Sequence, residues 1–207
     1  MNHSVERFEE HNDEVRIFGS HQNQKFDACF DGLLIANGAR SQLRPKAWVK
    51  VDKAYPWGAA WSIVPECQVL DSEILHQFYD RSKIMMGILP TGAIPTEPQQ
   101  RLSSVFWSLP TPQLQSFLQD EQAKQAWLKQ VSERWPKVAE WLKEILYNSQ
   151  TQPKWLSANY RDVVMTQFGQ SRIGVIGDAA HAMSPQLGQG ANMALLDAWA
   201  FSQSLRQ

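Results

Sequence analysis

An α/β (α+β) fold in two parts is what this sequence predicts, and three stretches predict it. Near its end, Ile173 to Ile176 reads as a short buried strand, Gly177 to Gly190 is too rich in glycine and proline for regular structure, and a helix begins near Ala191. Earlier, the apolar run Leu33 to Ala36 is a second short strand, which stops at the turn pair Asn37-Gly38. Between them lie β-patterned segments followed by stretches of helical periodicity, the order expected of an antiparallel sheet covered by helices. The outer parts, 1–44 and 154–207, make one discontinuous domain, and 45–153 makes a second domain inserted into it.

Taken in order, Val5 to Phe8 and Val15 to Phe18 alternate as strands of a meander, separated by the polar turn His11-Asn-Asp13. Gly19 to Lys25 is a second polar turn before Phe26. In the inserted domain the strands are Trp57 to Val64, bounded by Pro56 and Pro65, then Leu75 to Tyr79, Ser82 to Leu89 and Leu102 to Leu109. Pro90 to Pro98 carries too much proline and glycine to continue either neighbour and is a connection. Thr111 as N-cap and Pro112 as first helical residue open a helix that keeps its spacing through Leu114, Phe117, Leu118, Ala126, Trp127 and Val131. Pro136 opens the next, where Val138, Trp141, Leu142, Ile145 and Leu146 form one face.

Composition excludes several classes. With 43% hydrophobic and 20% charged residues among 207, the chain can bury a core and is not disordered. Twenty basic against 21 acidic residues, without a basic run, leave no footprint for nucleic acid or an anionic membrane. No apolar run approaches the ~18 residues of a spanning helix and no signal-peptide core opens the chain, so a cytoplasmic location is expected. Cys29 and Cys67 lack metal-site spacing and are expected as reduced, packing thiols. Most of the nine tryptophans are expected in the core.

The loop after Ile176 is where chemistry is expected. In α/β sheets ligands sit beyond the carboxyl ends of the strands, which places Asp178 to accept hydrogen bonds from hydroxyls. Gly188, Gly190 and Asn192 lie where a helix begins, with free N–H groups and no bulk to keep a ligand away. A lone Gly-Asp pair is an ordinary strand-to-helix connection. The whole string, Gly177-Asp-Ala-Ala-His181, Ser184-Pro185 and Gly188-Gln-Gly-Ala-Asn192 before an Ala- and Leu-rich helix, is far more restrictive. It resembles the second flavin-binding motif of the FAD-dependent aromatic hydroxylases, the para-hydroxybenzoate hydroxylase-like flavoprotein monooxygenases.

That resemblance implies a partial FAD-binding Rossmann-like domain with an antiparallel substrate domain. It implies that Asp178, after Gly177, holds a ribityl hydroxyl of FAD, that Pro185 lies beside the isoalloxazine ring, and that Gly188, Gln189, Gly190, Ala191 and Asn192 face the ring's N1 and O2 edge. The segment Leu33 to Arg44 resembles the family's other fingerprint, a strand followed by Asp-Gly, a Ser and an Arg: Gly38, Ser41 and Arg44 match, and Asn37 replaces the Asp. In the family this segment approaches the FAD pyrophosphate and is linked to NADH or NADPH; Asn37 keeps an acceptor oxygen without the charge. Asp31-Gly32 precedes the strand and is a decoy. The resemblance also places Trp57 to Trp61 and Gly87 to Gly92 nearest the substrate pocket, and His181 is expected to pack at a helix end rather than give up a proton.

The family's opening Gly-x-Gly-x-x-Gly turn has no counterpart among the 11 glycines here. A βαβ unit needs ~30 residues, so the chain reads as truncated at both ends. The leading expectation is part of a monooxygenase that uses FAD, O2 and NADH or NADPH to hydroxylate or epoxidise an aromatic or polycyclic small molecule. A flavin-dependent reductase, oxidase or halogenase is the second, and an inactive fragment or a subunit completed by a partner chain the third. Alone, the chain is expected to carry little FAD and to be dimeric or aggregation-prone.

Overall fold

The computed structural model describes residues 2–147 and 153–206, and the chain divides into two compact units, Met1–Tyr55 with Tyr160–Gln207, and Pro56–Asn159. The first unit opens with the meander β1 (His3–Glu10), β2 (Val15–His21) and β3 (Gln24–Phe30), antiparallel in the order β1-β2-β3. The second hairpin is tighter than the expected turn: β2 and β3 run on to His21↔Gln24, and only Gln22 and Asn23, with φ of 50° and 66°, make the turn. Positive φ at both central residues matches the right-handed twist of the strands.

The short strands β4 (Leu33–Ile35) and β11 (Ile173–Val175) pair in parallel, with Ile173↔Leu33, Gly174↔Leu34 and Val175↔Ile35, and β10 (Gly169–Gln170) lies antiparallel on the far side of β11. Val15, Ile35, Val163, Met165, Ile173, Val175, Ala179, Ala180 and Ala182 form this unit's core. The segment between Gly177 and Gly190 is more regular than its composition suggests, with a one-turn helix α4 (Asp178–His181) and a 3-10 turn (Pro185–Leu187) before α5 (Gly190–Ser204). Both pieces are a single turn long, so their ends coincide with the glycines and the proline instead of being interrupted by them.

A five-stranded sheet has the order β6-β7-β8-β5-β9. Its members are β5 (Val49–Pro65), β6 (His76–Asp80), β7 (Ile84–Ala93), β8 (Arg101–Pro110) and β9 (Leu156–Met165). Pro56 does not bound β5 as expected; it lies inside the strand, just outside the β5–β8 register that starts at Trp57↔Pro110, so it is not asked for an N–H by β8. Likewise Pro90 to Ala93 continue β7 rather than leave it, because the register shifts between Pro90 and Gly92. Alternation sends Ala60, Val64, Met86, Ile88, Val105 and Trp107 into a core shared with the helices.

Those helices are α1 (Thr111–Gln119), α2 (Glu121–Arg134) and α3 (Pro136–Tyr147). The long helix expected from Thr111 to Val131 is two. Asp120 is extended (φ −109°, ψ 117°) and its carboxylate accepts a hydrogen bond from Gln122 N, so it ends one helix and caps the other. Pro110, not Thr111, precedes the first helical residue. In α3, Val138, Leu142 and Ile145 are buried. At ~1.5–3 kcal/mol each, that burial far exceeds the ~0.3–1 kcal/mol of a terminal charge, which this helix lacks at both ends. Trp107 and Trp127 are 3% and 2% exposed and pack edge to face, but Trp199 is 63% exposed and does not join a core. Cys67 is buried, whereas Cys29 is exposed and does not pack as expected; a hydrogen bond to Glu14 pushes its thiol up, as burial does for Cys67.

Candidate functional site

Parallel pairing of β4 with β11 brings the two fingerprints side by side, since both strands deliver their loops at the same sheet end. Ile176 N donates to Ile35 O at 3.0 Å and continues the alignment past the last paired residues. On the β4 side, Gly38 has φ +85° and Ser41 N closes a turn onto its carbonyl at 3.0 Å. A Cβ at Gly38 would touch nothing within 4 Å, so the backbone angle, not space, calls for glycine. Asn37 is exposed beside it.

Arg44 is the fastener between the loops. It is 6% exposed. Its Nη1 donates to Ala179 O at 3.1 Å in α4, and Nη2 donates to Ala39 O at 3.1 Å and to Asp52 Oδ2 at 2.9 Å. Asp52 also accepts from Arg161. Burial works against ionisation of Asp52, but the hydrogen bonds of Arg161 and Arg44 outweigh it and hold the carboxyl below its ordinary range. The two terminal nitrogens are thus spent on the protein's own backbone and on Asp52, while Nε is buried without a hydrogen-bond partner.

Across the strand end, Gly177 has φ 59° and ψ −146°, a region open only to glycine. Its carbonyl accepts from Ala180 N and His181 N at 2.8 and 3.0 Å, which winds α4 and leaves the Asp178 side chain exposed. A Cβ on Gly190 would lie 3.8 Å from Asp178 Oδ1, so the carboxylate sits at the first turn of α5. Gly188 is left-handed at φ 61° with open space around it, Gln189 offers no side-chain cap, and Ala191 and Asn192 are exposed. The N–H of Gly188 is not free as expected, because it donates to Pro185 O at 2.9 Å and closes the 3-10 turn. The start of α5 itself has N–H groups that no side-chain cap occupies, next to an exposed carboxylate. Pro185 is exposed at the start of the 3-10 turn that precedes them.

An acceptor for hydroxyls beside donors for an electron-rich edge suits a flavin's ribityl chain and ring. The chain matches the FAD binding domain family over residues 1–207. It belongs to that family.

The fold agrees. Similar solved structures include pqsL from Pseudomonas aeruginosa (TM-score 0.73, 16% identity, 99% of this chain and 53% of that one). Others are aklavinone-11 hydroxylase in a ternary complex with FAD and aklavinone (0.63, 14%, 98% and 36%) and the flavin-dependent halogenase CmlS (0.63, 16%, 88% and 32%). At these identities the likeness is one of fold, that of FAD-dependent monooxygenases and halogenases, as the para-hydroxybenzoate hydroxylase-like fingerprints imply. The chain spans about half or less of the length of these proteins. No curated protein matches it significantly.

Elsewhere, Trp61, Gly87 and Phe106 share the sheet face opposite the helices, with Trp61↔Phe106 and Gly87↔Phe106 as cross-strand partners. A Cβ on Gly87 would lie 1.8 Å from Phe106 Cζ, so the ring occupies the space that glycine leaves. Asp197, which the motif reading passed over, lies 2.6 Å from His181 Nε2 and accepts from Gly177 N at 2.7 Å. Its signal was a lone acid in the apolar helix Met193-Ala-Leu-Leu-Asp-Ala-Trp-Ala200. No described helix is long and apolar enough to cross a membrane, and no metal-ligand cluster occurs among the described residues.

Proposed function

We propose that this chain is the flavin-holding and substrate-holding part of an FAD-dependent monooxygenase, which hydroxylates or epoxidises an aromatic or polycyclic small molecule with O2 and NADH or NADPH. The observation that carries the reading is Asp178, an exposed carboxylate at a strand's carboxyl end next to the uncapped start of α5. Asp178 accepts hydrogen bonds from ribityl hydroxyls, and the backbone N–H groups of Gln189, Gly190, Ala191 and Asn192 face the ring edge, with Pro185 beside it and Gly188, whose own N–H goes to Pro185 O, making the turn that leads into them. Gly177 fixes the approach of Asp178. Asn37 and Gly38 flank the pyrophosphate side, where Arg44 acts through the loop that it holds. When bound, FAD supplies the transfer of electrons from nicotinamide to O2; the protein supplies position and electrostatics.

The apolar sheet face with Trp61, Phe106 and Leu89 supports an aromatic substrate. One structural relative, a hydroxylase, binds FAD and the small molecule aklavinone together. A segment bearing Gly-x-Gly-x-x-Gly, from a longer chain or a partner chain, completes the cradle for the ADP half. The edge position of β4 and the exposure of Leu195, Leu196 and Trp199 on α5 (69%, 62% and 63%) favour such a completing segment. A cytoplasmic location is part of this reading, since NADH and NADPH are supplied there.

The test is an FAD titration of the chain, alone and with a complementing Gly-x-Gly-x-x-Gly segment, followed by turnover with NADH or NADPH, O2 and a panel of aromatic compounds. Saturable FAD binding and oxygenated product support the monooxygenase. The halogenase fold likeness keeps a second reading open, and halogenated product on adding chloride or bromide would replace the first with it. Absence of FAD binding in both forms would refute both.

A further inference from the structure

Helix α5 poses a question of attachment. It is 15 residues long with no buried residue, and Leu195, Leu196 and Trp199 are 62% exposed or more. Burial therefore contributes little to holding its N-terminus in place. Among the described side-chain hydrogen bonds, those that leave α5 for another element come from Asp197 alone. Oδ2 of Asp197 accepts the Gly177 N–H at 2.7 Å and meets His181 Nε2 at 2.6 Å. Ala194, one turn earlier on the same face, is the nearest neighbour of the space above Gly177, 3.5 Å from a Cβ built there.

These contacts surround the one residue whose backbone sets Asp178. Gly177 N–H goes to Asp197, and Gly177 C=O receives the two N–H groups that wind α4, the second of them from His181. His181 in turn gives its ring nitrogen to the same Asp197 oxygen. The loop from Gly177 to His181 is thus clasped at both ends by a single carboxylate on the helix whose first turn faces Asp178. We infer that Asp197 is a positioning residue: it sets the spacing between the Asp178 carboxylate and the α5 N-terminus, and so couples the two halves of the flavin-holding loop. The inference rests on the FAD reading for its ligand and on the contacts alone for the clasp.

The clasp is read without ligand by amide hydrogen exchange on the 207-residue chain. Asp197→Ala should speed exchange at Gly177 and across Asp178–His181 by about 10-fold or more, the order expected for one lost charge-assisted bond, and leave β8 unchanged. Asp197→Asn keeps an acceptor oxygen and should restore most of the protection, which separates loss of the bond from loss of the fold. Coupling to the site is read by FAD affinity in Asp178→Ala, Asp197→Ala and the double variant. Asp197→Ala should weaken FAD by about 10-fold, and in the double variant the loss should stay within about 2-fold of Asp178→Ala alone, because the second change acts through the first.

Unchanged exchange at Gly177 in Asp197→Ala overturns the clasp, and losses that multiply in the double variant overturn the coupling. A wild-type chain that binds no FAD in either form defeats the FAD reading instead, and the exchange result then decides the clasp by itself.

Discussion

Arg44 Nη2 and Asp52 Oδ2 stand 2.9 Å apart, with the arginine side chain 3% exposed and the aspartate 28%. The pair closes the loop after β4 against β5, while the other guanidinium nitrogen holds Ala179 O in α4. Replacing Arg44 by Met strands the carbonyls of Ala39 and Ala179, each costing ~1–3 kcal/mol when buried without a donor. Urea unfolding at pH 7 should show a loss of about 3 kcal/mol for Arg44→Met, and a loss below ~0.5 kcal/mol would show that water replaces the guanidinium.

The same pair fixes a pH dependence. The folded carboxyl of Asp52 titrates below its ordinary value, so its contribution is fully present above about pH 4 and is lost as the pH falls below that through the folded value. Asp52→Asn should therefore destabilise the chain at pH 7 and matter progressively less as the pH falls below about 4. A penalty that stays constant from pH 7 to pH 3 would contradict this sign.

Asp178→Ala should weaken FAD binding about 10- to 150-fold, the equivalent of one carboxylate–hydroxyl bond of ~1.5–3 kcal/mol. Its side chain is exposed and touches no core, so the melting temperature without FAD should stay within about 2 °C of wild type. Fluorescence titration of FAD and thermal scans measure the two quantities, and equal affinities would remove Asp178 from the site.

Gly87→Ala meets the Phe106 ring at 1.8 Å and should cost ~1–3 kcal/mol through displacement of that ring. Adding Phe106→Ala opens the space, so the double variant should be more stable than the sum of the two single losses predicts. Additive losses in chemical unfolding would mean that the ring moves aside freely.

Asn37 is exposed at the end of β4, where the related fingerprint carries an aspartate. Asn37→Asp adds a negative charge without changing shape. Stopped-flow reduction by NADH or NADPH should change more than FAD affinity does. The reverse ordering would tie Asn37 to the flavin instead.

Much of the site was legible in the sequence because it is carried by backbone demands that few residues meet. Gly38, Gly177 and Gly188 all have positive φ, and a glycine at a strand end or a helix start announces that need locally. The strands Leu33–Ile35 and Ile173–Val175 were visible as apolar runs because Ile35, Ile173 and Val175 are buried in the core and Leu33 packs against it. The helix break at Asp120 was less so, since the apolar spacing on its two sides agrees with one continuous helix while the decision rests on a single side-chain cap.

The residue types, the chemical character of the loop and the family were determined by sequence alone, because glycine placement and a carboxylate after a strand are local properties. Tertiary structure decided what those residues do for one another. Only parallel pairing across a gap of more than a hundred residues sets Arg44 against Ala179. Only helix packing sets Asp197 against Gly177 and His181. A hydrogen bond depends on where two atoms end up, and pairings this distant in the chain leave no periodic trace in the sequence.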